Sequence, residues 1–526
     1  MSPWPSLRVT HFAVGLLLLS AGRPPHARAE GPREEGQGPP RSVSVEELAR
    51  RLDRLEQQNA RLAEENKDLR QRLESITERS ERPEKDSVPS PAMPLPLPLP
   101  NPSPPVALAA PNEYWSRPRA AEGPSSRFLV GEYDDERGAF VLVRTRDDQV
   151  MPFELRLDVF TQARYFGFRR SKDFWVDSTG ARLPVRDYSS FEVTRNFFQF
   201  SGYGLDPRLQ FNAIIFSSTA INDTVYLGWL NYRFNKAFDL RVGNWLVPGT
   251  REWIESFRYT LGADRLMATT FFRPNISPGI WAQGEPLPGL NYVAMVANSL
   301  NRFTQGVERV GTAGAFGGTV WWEPLADFGP GPSDIEQHET LSPRIGTNVA
   351  FSRESNQGLS TTALGNPEDT ILRLSNGTPL FRRGALGPGV ELRATSVQLW
   401  TIDAAMKYRG LGVSGEYFMR WLNNFQAVGP EPMRRSIFDQ GALLQAGYFL
   451  VPQRIEPFAR TSIVSGPFGG GYEWGGGVNW YPQGLRTWRM TAEVLRVQNS
   501  PAQNLLTGYR AGESGTLFQV QWFTDF

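Results

Sequence analysis

From about Arg127 to the C-terminus, apolar and polar residues alternate in short runs separated by Gly, Pro, Asn and Asp. In the run FELRLDVFTQARY, one face of an extended strand carries Phe153, Leu155, Leu157, Val159, Ala163 and Tyr165. The other face carries charged and amide residues, and Phe160 is out of pattern. WRMTAEV, near the C-terminus, has the same arrangement. A period of two is typical of strands with one apolar face, so this region is predicted to be all-β.

The last ten residues, LFQVQWFTDF, continue the alternation to the end of the chain. One face carries Phe518, Val520, Trp522, Thr524 and Phe526, whereas Phe523 breaks the pattern. Chain ends usually fray. An end with this alternation therefore predicts a terminal strand that is paired within a sheet.

The N-terminal region has a different pattern. Residues 1–29 are predicted to be a secretory signal, with a short apolar core, FAVGLLLLSAG, and an A-x-A cleavage site at Ala27–Ala29. An uncleaved membrane anchor is the alternative. If the signal is removed, the mature chain begins at Glu30 and lies outside the cytoplasm.

Residues 43–77 follow an unbroken heptad pattern, which predicts a coiled-coil stalk. Position a is occupied by Val45, Leu52, Asn59, Asn66 and Leu73, and position d by Leu48, Leu55, Leu62, Leu69 and Ile76. Asn at position a favours two strands without forbidding three. Residues 82–118 are rich in proline, which predicts an extended linker between the stalk and the β-region.

Composition narrows the choices of function. The net charge is +1, so no bulk attraction to nucleic acid follows, and none is expected as a partner. The chain has no cysteine, which excludes disulfides, thiolate metal sites and cysteine nucleophiles. The mean hydropathy is −0.38, a value that does not argue against barrel strands, because they bury only every second residue.

Three features favour a membrane barrel over a soluble sandwich for residues 127–526. The polar faces are crowded with Arg, Asp, Glu and Gln, as a water-filled lumen requires. The apolar faces of the clearest strands carry no arginine, which would be costly in lipid. Aromatic residues lie at predicted strand ends, namely Trp229, Tyr232, Trp245, Trp480, Tyr481 and Trp522. We expect a transmembrane antiparallel β-barrel of about 16 strands, with 18 as the alternative.

Several segments resemble the phosphate-selective porin O and P family of bacterial outer-membrane proteins. The matching features are a strand ending in LRVG followed by Val247-Pro248 and Arg251-Glu252, and a late Asn479-Trp480-Tyr481 strand. Phe526 resembles the C-terminal signature that the barrel assembly machinery recognises. The resemblance implies a barrel in outer-membrane lipid, usually trimeric, that passes small anions such as phosphate. The stalk would lie in the periplasm, and no cofactor is implied.

The segment TREWIESFRYTLGADRLMATTFFRPNISPG breaks the alternation and occupies the position at which these porins fold a loop into the lumen. Arg251, Arg258, Arg265 and Arg273 on it are candidate pore-lining residues, and Arg156 and Arg164 are candidate lumen-facing residues. The alternative is that the loop arginines pair with Glu252, Glu255 and Asp264 and only fix the loop. Lysine is rare beyond Arg127, which argues against a lysine ladder for phosphate. Residues 324–395 are expected to form an outside loop.

We expect a porin for passive diffusion of small hydrophilic solutes, with anions as the expected class. The alternative is a structural tether that binds peptidoglycan through its stalk. An enzyme or a metal site is not expected, because His338 is the one histidine that remains after residue 29. It is interpreted as a loop residue.

Overall fold

The computed structural model describes residues 128–134, 139–146, 151–220, 223–300, 314–355 and 371–526. The predicted signal at 1–29, the coiled coil at 43–77 and the linker at 82–118 lie outside the described residues. No helix within the described ranges is long and apolar enough to span a membrane.

The described chain is built almost entirely of antiparallel strands. In chain order they are β1 (Phe128–Asp134), β2 (Ala139–Thr145), β3 (Phe153–Arg170), β4 (Phe174–Val176), β5 (Arg182–Pro184), β6 (Tyr188–Gly204), β7 (Asp206–Ser218), β8 (Asp223–Asn235), β9 (Phe238–Leu246), β10 (Ile276–Leu287), β11 (Leu290–Ala297), β12 (Ala315–Trp322), β13 (Ser342–Ser355), β14 (Glu391–Tyr408), β15 (Leu411–Val428), β16 (Ile437–Tyr448), β17 (Ile455–Gly466), β18 (Gly469–Trp480), β19 (Trp488–Gln498) and β20 (Gly515–Asp525). Two short α-helices, α1 (Arg251–Ile254) and α2 (Met267–Phe272), flank a 3₁₀-helix at Phe257–Tyr259.

Sixteen of these strands, β3 and β6 to β20, form a closed antiparallel barrel. The last strand, β20, pairs with the first, β3, from Gly515 opposite Arg170 to Asp525 opposite Phe160. Val159 and Phe526 then exchange two backbone hydrogen bonds, at 2.6 and 3.0 Å. The terminal strand is therefore paired to its last residue, which confirms the interpretation of the chain end. Closure leaves no sheet edge along this seam, as a barrel in lipid requires.

Strands β1 and β2 form a hairpin outside the ring. β2 pairs with β3 between Glu154 and Leu157, below the point where β20 ends. The hairpin therefore covers the part of the β3 edge that Phe526 leaves open. It also places the start of the described chain beside the barrel seam.

The alternation predicted from sequence sets which side chains face out. On β20, Phe518 and Trp522 are 39% and 46% exposed, whereas Gln519 and Gln521 are buried. The two exceptions noted in the sequence, Phe160 and Phe523, both point inward and contact each other, with ring centroids 4.9 Å apart. Their neighbours are Phe197 and Phe257, so the out-of-pattern residues form an apolar cluster inside the barrel.

The two ends of the barrel differ in their connections. We call the end where β3 begins and β20 finishes the terminal end, and the opposite one the far end. Most terminal-end connections are short, such as 236–237, 288–289 and 409–410. The exception is the connection of residues 323–341 between β12 and β13, which we call the mouth strap. Long far-end connections include 247–275 and 499–514.

Two expectations require correction. Residues 324–395 are not one outside loop, because β13 divides them and places 323–341 at the terminal end and 371–390 at the far end. Trp229 and Trp245 do not belong to an interfacial girdle, since both face the interior and pack against buried residues. Trp480 and Trp522 do face outward near the terminal end, 48% and 46% exposed. The alternation already places Trp229 on the face of Asn231 and Trp245 on the face of Arg241, so their parity points inward.

Candidate functional site: the barrel interior

The connection between β9 and β10, residues 247–275, folds into the barrel instead of remaining at its rim. We call it the constriction segment. Pro248 and Gly249 end the β9 strand, and nearly all of the segment is buried from Val247 to Asn275, except Ile254–Tyr259, which are half-buried. Proline cannot donate to the ladder, so strand pairing stops there and the chain can turn inward. The predicted inward loop is thus found where the sequence placed it.

Carboxylates of the barrel wall hold the constriction segment in place. Glu416 on β15 accepts from the backbone N–H of Arg251 at 2.8 Å. Glu493 on β19 accepts from Ala263 N at 2.9 Å, and Glu473 on β18 accepts from Met267 N at 2.6 Å. These N–H groups have no partner in a strand ladder, and leaving a buried N–H without a hydrogen bond costs folding free energy. These inward acids therefore act as ties for the segment.

Asp264 of the constriction segment is the centre of a buried ionic contact with the wall. Its carboxylate lies 2.8 Å from Arg164 of β3 and 2.6 Å from Arg195 of β6, and all three side chains are buried. Burial alone would raise the pKa of Asp264, but the charges of Arg195 and Arg164 outweigh it and lower that pKa. The segment is therefore locked to the wall by a carboxylate that stays ionised.

The four arginines predicted on the segment occupy different environments. Arg251 pairs with Glu255 at 2.9 Å and is 4% exposed. Arg265 and Arg273 are also buried, and both guanidinium groups stack on Trp253, 4.6 and 3.8 Å from its ring centroid. These contacts match the alternative role of fixing the loop, while lining of the passage stays a prediction.

Arg258 is the most accessible of the four. It donates to Asp525 Oδ2 at 2.9 Å and to Gln199 Oε1 at 3.3 Å, with 14% of its side chain exposed. It lies in the half-buried stretch of the segment and faces the interior. Of the predicted set, Arg258 is the one with the most exposed side chain, and its lining of a passage stays a prediction.

Arg156 and Arg164 both lie on the inward side of β3 and are buried. Arg156 pairs with Glu154 near the start of the strand, and Arg164 with Asp264 in the middle. Arg164 also donates to Gln521 Oε1 at 2.9 Å on the neighbouring strand β20. Both side chains therefore face the lumen side of the wall, within ionic contacts that cover them.

Strands β13 to β20, together with β3, form what we call the covered wall, since their inward residues lie mostly beneath the constriction segment and other loops. Strands β8 to β12 form the open wall, where several inward side chains stay half-buried. These are Leu227, Trp229, Arg233, Arg241, Trp245, Gln283, Val293 and Trp321. Since strand alternation turns these side chains away from lipid, their exposure is to the barrel interior. The interior therefore has one accessible side.

Arg241 is the key residue of the open wall that the sequence analysis missed. Its guanidinium lies 4.1 Å from the ring centroid of Trp229 and donates to Asn231 Oδ1 at 3.0 Å. Arg241 forms no ion pair with any described residue, whereas its neighbour Arg233 pairs with Asp239 at 3.4 Å. The LRVGNW alternation does predict that Arg241 shares a face with Asp239. It gives no sign that the face is left uncovered.

His338 lies in the mouth strap, with Nδ1 2.5 Å from Asp334 Oδ1 and Nε2 3.0 Å from Asp327 O. The hydrogen bond with Asp334 raises the pKa of His338. Asp334, Glu336 and His338 each place one potential metal-ligand atom within 4.8 Å of the others. Glu336, however, is already bound to Arg486 at 2.7 Å, and Asp334 accepts from Gly410 N at 2.6 Å. The three side chains therefore already have hydrogen-bond or ion-pair partners within the protein, and these contacts stabilise the conformation of the strap.

Comparison with known proteins gives weak similarities of fold. Neither family models nor the sequences of curated proteins give a match. Solved structures that are similar are outer-membrane channels and porins. The anion-selective porin from Comamonas acidovorans is 14% identical over 71% of this chain and 100% of that one, with a TM-score of 0.43. The outer-membrane channel DcaP of Acinetobacter baumannii is 7% identical over 75% and 100%, with a TM-score of 0.42.

A loop-deletion mutant of OmpT, an outer-membrane protein of Vibrio cholerae, is 9% identical over 71% of this chain and 99% of that one, with a TM-score of 0.45. At such low similarity, the names of these proteins assign neither a solute nor an assembly to this chain. The resemblance to the phosphate-selective porin O and P family likewise stays a prediction.

Proposed function

We propose that the chain is an outer-membrane porin that lets small hydrophilic solutes diffuse through its barrel. The observation that carries this proposal is a closed ring with an apolar outer face and a polar interior, narrowed by an inward segment that leaves one wall accessible. An apolar band around a closed barrel fits lipid, and a polar interior fits water. The passage would run between the open wall and residues 254–259 of the constriction segment.

Anions are the solutes that this passage favours. Most interior arginines are matched by buried acids, so the net field depends on charges that remain accessible and unmatched. Arg241 on the open wall has no carboxylate partner among the described residues, and it faces the same interior as Arg258. An arginine without an ion-pair partner, in a narrow passage with low-dielectric walls, raises the local anion concentration. Inorganic phosphate and chloride belong to this class.

Assembly into a homotrimer is the second part of the proposal. The strand register places Thr524, Thr161, Asn196, Ser217 and Thr224 side by side on five neighbouring strands, on the outward face. Thr161 Oγ1 is 2.9 Å from Asn196 Oδ1. Lipid tails offer no hydrogen bonds to such a row, whereas a second copy of the chain does. The hairpin that leads from the N-terminal region also joins this sector, at β3.

The oligomer is tested with the double variant Thr161→Val/Asn196→Leu in a mild detergent, by light scattering and native electrophoresis. We expect a wild-type trimer that dissociates at lower temperature in the variant. Thr347→Val is the matched control, because Thr347 also faces outward but lies between Val320 and Ile402. A monomeric wild type would overturn the trimer. Equal dissociation temperatures in the double variant and the control would place the interface elsewhere.

Channel function is tested with the mature chain in a planar bilayer, under a KCl gradient. We expect discrete conductance steps and a reversal potential shifted toward that of chloride. Arg241→Gln should shift the reversal potential toward zero, because it removes the positive charge of an arginine that has no ion-pair partner. Arg208→Gln is the control, since Arg208 is exposed and pairs with Asp206 at a terminal-end turn. A folded barrel that conducts neither as wild type nor with residues 325–339 shortened would reject the porin, and a cation-shifted potential would reject the anion preference.

A further inference from the structure

The mouth strap, residues 323–341, is unlike the other described terminal-end connections. Those between barrel strands have between one and seven residues, as in Leu205 and 481–487, whereas the strap is much longer. It does not extend away from the barrel, because Phe328, Ser333, Asp334 and Ile335 are all buried. Outer-membrane barrels typically have short turns at this end. The length and burial of this connection therefore suggest that it has a function beyond joining two strands.

The strap crosses the terminal-end mouth. It leaves β12 at Trp322 and reaches the β18–β19 turn, where Ser333 O accepts from Arg486 at 2.8 Å. On its way it passes beneath the constriction segment. The Phe328 ring centroid lies 5.1 Å from the Arg251 guanidinium, and Gly331 packs so closely on Tyr259 that a Cβ would meet Tyr259 O at 2.4 Å. The strap thus closes the mouth beneath the β13–β18 side of the barrel.

The strap is attached by a charged cluster and by two hydrogen bonds from the β14–β15 turn, where Gly410 N donates to Asp334 Oδ2 at 2.6 Å and Arg409 N to His338 O at 2.8 Å. Glu336 accepts two hydrogen bonds from Arg486 Nη2, each at 2.7 Å. The fully buried Lys407 of β14 lies 3.7 Å from Glu336 and donates to Pro330 O at 3.2 Å. Burial alone would raise the pKa of Glu336, but Arg486 and Lys407 lower it, so the carboxylate stays ionised. We call these three residues the strap latch.

This kind of attachment allows the strap to move without disrupting the barrel. The described residues between Pro324 and Leu341 belong to no strand, so displacing them breaks no ladder hydrogen bond. The latch charges are covered by the strap, with 0% of the Lys407 and 9% of the Arg486 side chain exposed, and displacing the strap opens them to the barrel mouth. The constriction segment has more ties to the wall, since three wall carboxylates accept from its backbone N–H groups and Asp264 pairs with two buried arginines.

We propose that the mouth strap is a gate that restricts the terminal-end opening and is held in place by the strap latch. This inference rests on the proposed channel function. When the latch opens, the strap swings out on its connections to β12 and β13, and the mouth widens on the β13–β18 side. Arg241 and the constriction segment stay in place when the strap moves, so the gate changes how much passes and the preference for anions is kept.

The gate is tested by single-channel recording of wild type, Glu336→Gln, Arg486→Gln and a variant in which residues 325–339 are replaced by Gly-Ser-Gly. We expect larger conductance in all three variants, on the order of twofold for the shortened strap, because conductance rises with the open cross-section. The reversal potential should stay on the chloride side in all three variants, and it should move further toward chloride in the shortened strap, which lacks Asp327, Asp334, Glu336 and Glu339. Arg454→Gln is the control, since Arg454 lies on the β16–β17 turn and donates to Pro482 O at 2.7 Å.

Heat-modifiable mobility in electrophoresis shows that each variant is folded. If folded wild type and the shortened variant conduct equally, the gate is wrong and the porin stands. If the wild type is silent and the shortened variant conducts, the gate is supported as a closed state. If both are silent, the channel function fails and the gate with it.

Discussion

The covered wall and the open wall have the same alternation of inward and outward residues, but their inward residues differ in solvent exposure. Gln519 on β20 is 1% exposed, whereas Gln283 on β10 remains half-buried. The covered wall uses its acids and arginines to hold the constriction segment, through contacts such as Asp264 with Arg164. The open wall keeps Arg241 without a carboxylate partner among the described residues. An inward charged side chain on a barrel strand therefore stays accessible from the interior only where no loop pairs with it or covers it.

The largest expected effect comes from breaking the main tie of the covered wall. Asp264→Ala leaves Arg164 and Arg195 buried without their shared carboxylate, and removing one partner of a buried pair costs about 3–5 kcal/mol. We expect the constriction segment to detach and the conductance to rise with noisy, unstable steps. Single-channel recording checks this. Glu431→Gln is the control, because Glu431 pairs with Arg435 in an exposed loop. Quiet steps of unchanged size would show that Asp264 does not anchor the segment.

A medium effect is expected at the apolar cluster beneath the seam. Phe160 and Phe523 meet edge to face across the β3–β20 closure. In a double-mutant cycle with Leu at both positions, we expect a coupling of about 0.5–1.5 kcal/mol in the free energy of unfolding. Urea unfolding of the refolded barrel in detergent measures it. Strictly additive single variants would mean that the two rings are neighbours without a specific interaction.

The smallest effect concerns His338 in the mouth strap. Its hydrogen bond with Asp334 favours the protonated ring, so the pKa of His338 should lie above the ordinary histidine value and fall in Asp334→Asn. The protonated pair then adds stability to the strap below the ordinary histidine pKa, and this is lost as pH rises through the raised pKa. If the chain is cleaved after residue 29, His338 is its one histidine, so an NMR titration reads it directly. A pKa at or below the ordinary value would contradict this geometry.

Much of the fold could be predicted from the sequence, because strand alternation is a local property. The all-β class, the paired C-terminal strand and the inward segment after Val247-Pro248 all follow from local patterns. Phe160 and Phe523 were identified as exceptions to the alternation, but only the pairing of β20 with β3 shows that their rings contact each other. Contacts between residues far apart in sequence leave no local pattern.

The interior could be predicted only in part. The sequence placed arginines on the constriction segment, but it could not show that Arg265 and Arg273 stack on Trp253. It missed Arg241, since an uncovered and a covered inward residue look alike in a strand. It also joined the mouth strap to a far-end loop, because β13 was hidden in a long stretch of weak pattern. Which residues a loop covers depends on the path of that loop.

The most direct test of the contrast between the walls uses two inward glutamines, since the chain has no cysteine of its own. Gln283→Cys and Gln519→Cys are compared in a planar bilayer while a charged thiol-reactive methanethiosulfonate is added. The account predicts that the reagent reduces the current through Gln283→Cys and leaves that through Gln519→Cys unchanged. Block of Gln519→Cys with no effect on Gln283→Cys would contradict it, because solutes would then pass along the wall described as covered.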